Sequence, residues 1–132
     1  MPKYSKNSQA ELSTCHPLIQ KVFDVVIQRF DHAVLCGHRP KSEQDRVFAL
    51  GRSKVQWPNS KHNTKPSVAV DAVPYPIDWD NIKRFVYFGG FVMGVAFTLG
   101  VKLRWGGDWD GDTTLTDQNF NDYPHFELKE TE

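Results

Sequence analysis

At 132 residues, with 39% hydrophobic and 13% aromatic side chains, the chain has enough apolar material for one packed core, which excludes disorder. Its 16 basic residues balance 16 acidic ones, so no global basic field is present to recruit nucleic acid or insert the chain stably at an anionic membrane. The two cysteines, Cys15 and Cys36, form no CxxC pair and have no metal partner nearby in sequence; they read as reduced thiols of a cytosolic protein, with a lone disulfide as the alternative.

The opening Met1-Pro2-Lys3-Tyr4-Ser5-Lys6-Asn7 has no apolar run behind its lysines, so no secretory signal is expected and the chain is expected to fold in the cytoplasm, as a monomer. Residues 1–12 read as a polar arm on a single domain covering 1–132. Pro17 suits a first helical turn, and Leu18, Ile19, Val22, Phe23, Val26 and Phe30 follow at helical spacing. Residues 34–37 read as a short strand. Ser42 is expected to cap a second helix that runs to Leu50 and ends at Gly51. Residues 55–67 are polar and broken by Pro58 and Pro66, so they read as a loop. Residues 68–73 read as a strand whose pleat sets Ala69, Asp71 and Val73 on one face and Val68, Val70 and Ala72 on the other.

Pro74 and Pro76 stop that strand, and Asp78 or Asp80 is expected to cap a long apolar helix ended by Gly100. Residues 85–101 carry no charge, close to the ~17-residue lower limit for a membrane span. Their four glycines favour a buried central helix that admits another backbone. Residues 103–105 read as a strand, 106–122 as a glycine- and aspartate-rich loop, and 125–128 as a last strand before a charged tail. The mixture implies an α+β fold with a small, mainly antiparallel sheet packed on helices.

Three features carry chemistry: His62, Asp71 and the run Asp122-Tyr123-Pro124-His125. Imidazole and carboxylate suit zinc, and a catalytic zinc keeps three protein ligands and one open position. Spacing alone is only suggestive, because His62 also reads as a surface loop residue and His125 as a satisfied core histidine. Asp71 is harder to set aside. Within Val68-Ala69-Val70-Asp71-Ala72-Val73 an ionised side chain is buried in an apolar strand, and it needs a cation or several hydrogen bonds. A buried salt bridge is the structural alternative. Asp108, Asp110 and Asp112 alternate around Gly111, with Asp117 downstream, and resemble part of a calcium loop. The full twelve-residue pattern is absent, and an acidic surface loop is the plain alternative.

Ser60-Lys61-His62 followed by Ala69-Val70-Asp71, with Asp122-Tyr123-Pro124-His125-Phe126-Glu127 at the end, resembles the superfamily of zinc D-Ala-D-Ala carboxypeptidases and L-alanyl-D-glutamate endopeptidases, which shares its fold with the hedgehog signalling domain. The resemblance covers roughly residues 34–128. It implies His62, Asp71 and His125 as zinc ligands, Asp122 as catalytic acid/base and Arg39 as the group that polarises the scissile carbonyl or holds substrate. Gln44 and Ser60 resemble substrate-contacting positions. The common form has a glycine between the histidine and the alanine and a His-to-Asp spacing two residues shorter. Here Asn63-Thr64-Lys65-Pro66-Ser67 fills that loop, which is expected to bulge outward and leave the strand in place.

Aspartate at 122, rather than glutamate, resembles the phage endolysin branch, as does Trp105-Gly106-Gly107-Asp108-Trp109, which borders the cleft there; a core turn with two packed tryptophans is the alternative reading of that segment. The resemblance therefore implies a zinc peptidase cutting the L-Ala-D-Glu bond of peptidoglycan stem peptides, with a separate membrane-permeabilising protein needed for it to reach the wall. A D-Ala-D-Ala carboxypeptidase or dipeptidase is the rival enzyme, and an inactive zinc-binding module is the rival without chemistry. Glu127, on the same strand face as His125, is expected either to orient that ring or to stand as a plain surface glutamate.

Overall fold

The structure is a computed structural model that describes residues 2–129. In chain order the elements are α1 (Lys6–Ser13), α2 (Pro17–Val26), β1 (His32–Cys36), α3 (Lys41–Ala49), β2 (Ala69–Pro74), α4 (Ile82–Leu99), β3 (Leu103–Gly106) and β4 (Asp122–Leu128). The four strands form one antiparallel sheet in the order β1-β2-β4-β3. The expected α+β architecture and antiparallel sheet are therefore both present.

One face of the sheet carries Val34, Val70, Ala72, Trp105 and Phe126 into the core, where Phe23 of α2 and Phe88 and Val92 of α4 meet them. The Phe126 ring lies 5.6 Å from Phe23 and 6.0 Å from Phe88, both edge-on, the arrangement that aromatic quadrupoles favour. The opposite face carries Asp71, His125 and Glu127. This division follows from the pleat: Val70 pairs with Phe126, and Asp71 pairs with His125, one residue along each strand.

Several local expectations are corrected. The first residues are not a free arm. Ser5 caps α1 by accepting a hydrogen bond from the Ser8 N–H, and Ser8 and Leu12 are buried. The Tyr4 hydroxyl lies 2.8 Å from the Phe23 carbonyl and 2.7 Å from His32 Nε2, tying the segment down. In α2, Pro17 does occupy the first turn. α3 begins after Pro40 rather than at Ser42, with no side-chain cap, and Asn81 rather than Asp78 or Asp80 caps α4. Gly100 ends α4 with a left-handed φ of 73°, as its lack of Cβ permits.

α4 is one-sided rather than buried all round. Phe85, Phe88, Gly89, Val92 and Ala96 are buried, while Phe97 is 87% and Tyr87 70% exposed. Its length and apolar composition alone match a membrane span, but its inner face is committed to the core. Among its glycines, Gly89 admits the Trp105 ring rather than a backbone, whereas Gly90 and Gly94 face open space. The charged tail expected after Leu128 lies, beyond Lys129, outside the described residues.

Candidate active site

Asp71 sits in the middle of β2, where alternation turns it away from the core. Its Oδ1 lies 3.3 Å from His62 Nε2 and 3.4 Å from His125 Nδ1. That oxygen is buried and has no hydrogen-bond partner. Its second oxygen lies 3.5 Å from the Arg39 guanidinium.

His62 comes from the polar loop and is 3% exposed. Three hydrogen bonds hold it, one within the loop and two to the Gly37 and Arg39 backbone after β1. The Ser60 hydroxyl accepts its N–H, its carbonyl accepts the Arg39 N–H, and its ring Nδ1 lies 2.8 Å from the Gly37 carbonyl. A carbonyl only accepts, so Nδ1 donates its proton there and Nε2 is the nitrogen that faces Asp71. His125 is arranged the other way round. Its Nε2 lies 2.8 Å from Glu127 Oε1, which leaves Nδ1 facing Asp71. Glu127 is held in turn by Lys61 at 2.9 Å and Arg104 at 3.8 Å. Of the two readings of Glu127, the structure has the one in which it orients the His125 ring.

The electrostatics are those of a trapped anion between two rings. Burial pushes the Asp71 carboxyl upward, but the adjacent imidazoles overcome this and hold it well below the usual carboxylate range. Burial pushes His62 downward, and Asp71 overcomes that, raising it to about 10. His125 is also raised: burial opposes the shift, and the Asp71 and Glu127 carboxylates beside the ring drive it. Glu127, despite burial, is drawn down to about 2 by His125 and Lys61.

The residues present fit a zinc ion. Ligands ~2.0–2.1 Å from a tetrahedral zinc are about 3.3 Å from one another. The Asp71 Oδ1 contacts to both ring nitrogens match that edge. Each ring's other nitrogen is already committed to an acceptor, as metal-binding histidines require.

Around this centre is a cleft of about 510 Å³, whose lining includes Arg39, Ser60, Asp122 and Trp109. Asp122 opens β4, and its carboxyl is raised by burial and by Asp71. Gly106 permits this: a Cβ there would collide with the Asp122 carbonyl. Trp105 and Trp109 divide the two roles that their segment offered. Trp105 is in the core, and Trp109 lies in the cleft wall, its ring 5.5 Å from His125 and stacked on Phe120.

Gln44 is corrected. It is fully buried and cannot touch a substrate. Its Oε1 accepts from Arg39 Nη1 at 3.0 Å and Asn63 Nδ2 at 3.1 Å, and its Nε2 donates to Ser53 Oγ and the Val55 carbonyl. It therefore positions Arg39. The inserted loop does not simply bulge outward either. Thr64, Lys65 and Pro66 are exposed, but Asn63 and Ser67 turn inward and are buried. Asp108, Asp110 and Asp112 are brought together, with carboxylate oxygens within 4.8 Å of one another. One residue escaped sequence reasoning: the Cys36 thiol lies within 4.8 Å of the His62 and Asp71 ligand atoms.

A family model described as phage L-alanyl-D-glutamate peptidase matches residues 1–129. The chain is 31% identical over 122 residues to the L-alanyl-D-glutamate peptidase of Escherichia phage T5, covering 88% of each protein. Its fold is similar to the crystal structure of the Serratia marcescens L-Ala D-Glu endopeptidase ChiX, with a TM-score of 0.75 and 23% identity over 96% of this chain and 90% of that one.

Proposed function

The chain belongs to the phage L-alanyl-D-glutamate peptidase family, and from that premise we propose that it is a zinc endopeptidase hydrolysing the L-Ala-D-Glu bond of peptidoglycan stem peptides. The observation that carries the reading is the buried Asp71 Oδ1, without a hydrogen bond and set between His62 Nε2 and His125 Nδ1 in a cleft that also holds Asp122. A buried carboxylate oxygen without a hydrogen bond is costly, and a cation held with the two histidines offsets that cost.

When bound, zinc supplies Lewis-acid polarisation of the scissile carbonyl and water that ionises near neutrality. Asp122 takes the proton as the water oxygen bonds to the alanyl carbonyl carbon, then returns it to the glutamyl nitrogen as the C–N bond breaks. The raised carboxyl of Asp122 suits both halves of that transfer. Arg39 donates to the oxygen that becomes negative, and its fork is held at one end by Gln44. Ser60 presents its hydroxyl beside the same cleft while bracing the His62 backbone.

Calcium is the second cation in this reading. Asp108 Oδ1 is buried without a hydrogen-bond partner, and the Asp110 and Asp112 carboxylates lie beside it. A calcium ion there would draw the three carboxylates together and order the loop that leads into Asp122.

Mass spectrometry of fragments released from purified peptidoglycan, with and without a chelator, tests the reaction. The expected product carries a new N-terminal D-glutamate, and the chelator abolishes it. Asp122→Asn should keep its metal yet lose at least ~10²-fold activity, the lower end for a positioned general base. Free D-alanine as the product would assign the enzyme to the carboxypeptidases instead.

A further inference from the structure

The β1–β2 pairing changes register at its end. His32, Ala33 and Val34 face Pro74, Val73 and Ala72 in steps of one. Regular pairing would then set Leu35 opposite Asp71, but Cys36 stands there instead, and Leu35 is the extra residue, 44% exposed. Bulges of this kind re-aim a side chain. On the other side of β2, Asp71 faces His125. Residues directly opposite in an antiparallel pair project from the same face. Cys36, Asp71 and His125 therefore form one row across three strands, and His62 reaches the row from the loop.

The thiol has no strong competing partner. Cys36 Sγ makes a 3.6 Å contact with the Gly37 carbonyl, the oxygen that already accepts the His62 Nδ1–H. The sulfur and the His62 and Asp71 ligand atoms all lie within 4.8 Å of one another. In a tetrahedral zinc site a thiolate sulfur stands about 3.5 Å from its nitrogen and oxygen neighbours, so the separations from the His62 and Asp71 ligand atoms need shorten by at most roughly 1.3 Å. A rotation about its Cα–Cβ bond is a motion of that size. Cys15, the other thiol, is buried on the far side of Gly37 and faces the Glu11 and Ala69 carbonyls.

We propose that Cys36 is a fourth, exchangeable metal ligand that closes the centre in the resting enzyme and yields its place when substrate arrives. The inference rests on the zinc reading above. Coordination forms one sulfur–metal bond, releases the thiol proton to solvent and returns one water to bulk; no electron is transferred. Three ligands and an open position make a catalytic zinc, whereas four protein ligands make a closed one. Cys36 allows this chain both states and makes its centre sensitive to thiol chemistry.

Cobalt substitution of the full chain tests this without an activity assay. Visible d–d absorption reports metal in the site, and a near-ultraviolet charge-transfer band reports a thiolate bound to it. The wild type should show both. Cys36→Ser should keep the d–d absorption and lose the charge-transfer band, whereas Cys15→Ser should keep both. Acetohydroxamic acid, a small chelating probe, should bleach the charge-transfer band while cobalt stays bound. Cys36→Ser should also surrender zinc to a chelator at least about tenfold faster, in line with lost metal contacts elsewhere. Cobalt absorption without the charge-transfer band in the wild type would overturn the proposal and leave the three-ligand centre intact. A band that survives saturating hydroxamate would overturn exchange. Absence of any cobalt binding would instead overturn the zinc reading on which it rests.

Discussion

Replacing Gln44 with methionine isolates the link between the core and the catalytic cleft. Methionine matches the length of glutamine but neither donates nor accepts a strong hydrogen bond. Four hydrogen bonds vanish: those from Arg39 and Asn63 to Oε1, and those from Nε2 to Ser53 and Val55. A net value of about 0.5–1.5 kcal/mol each gives a ceiling near ~6 kcal/mol. The real cost falls below that ceiling, because Val55 is exposed and its carbonyl regains water, and Asn63 Nδ2 keeps its bond to the Arg39 carbonyl. Arg39 Nη1 loses most, since Ser53 Oγ keeps its bonds to the Val55 N–H and carbonyl. A destabilisation of about 3 kcal/mol follows, equivalent to a midpoint drop of about 10 °C for a chain of this size. Urea titration followed by circular dichroism measures it. Below the unfolding midpoint, kcat should fall while metal content holds, since Gln44 touches neither ligand nor substrate and acts through the Arg39 fork. A variant within ~0.5 kcal/mol of wild type, or one with unchanged kcat, would refute the assignment of Gln44 as the support of Arg39.

Three further outcomes are expected. His62→Ala, Asp71→Ala and His125→Ala should each lose tightly bound zinc as well as activity, and full zinc occupancy in all three by elemental analysis would falsify the ligand set. Calorimetry should detect calcium binding in the wild type and not in Asp108→Asn/Asp110→Asn; no heat at millimolar calcium would leave residues 106–122 as a plain acidic loop. Burial holds His32 down at about 4, below its ordinary 6.5; between those values the unfolded chain binds the extra proton, so stability is full above 6.5 and is lost as pH falls toward 4. At about 1.4 kcal/mol per unit the loss reaches roughly 3 kcal/mol. Denaturation curves of wild type and His32→Phe across that window should diverge by this amount, and parallel curves would count against it.

The parts of the fold that were legible in the chain are those where a local pattern has one physical solution. The helical spacing of Ile19, Val22, Phe23 and Val26 has only the core to face, and all four are buried. Asp71 was conspicuous because period-two alternation left a charge inside an apolar strand, and no arrangement of that strand hides it without a counter-charge. The misjudged elements depend on partners distant in sequence. α1 looks polar because its core contacts are few, Ser8 and Leu12, while its anchor is Tyr4 reaching Phe23 and His32. After Lys83 and Arg84 in its first turn, α4 carries no charge on either face, so nothing in the rest of its composition says which half meets the core and which leaves Phe97 and Tyr87 in solvent.

The site divides along the same physical line. Ligand types and their order along the chain can be read from residues, because zinc chemistry restricts them to a short menu. What surrounds the ligands is set by register and burial. Gln44 and Arg39 are five residues apart, and the pair invites a reading as two substrate contacts; only burial separates the one that faces the cleft from the one that braces it. Cys36 shows the stronger form of this effect. With regular pairing of β1, Leu35 would stand opposite Asp71 and the thiol would project from the core face. A bulge of one residue reverses that outcome, and the bulge has no glycine or proline to announce it. The reactivity of this metal centre therefore depends on one unmarked step in strand register, made two residues after the last regular pair and directly across from the carboxylate that the apolar strand had already made conspicuous.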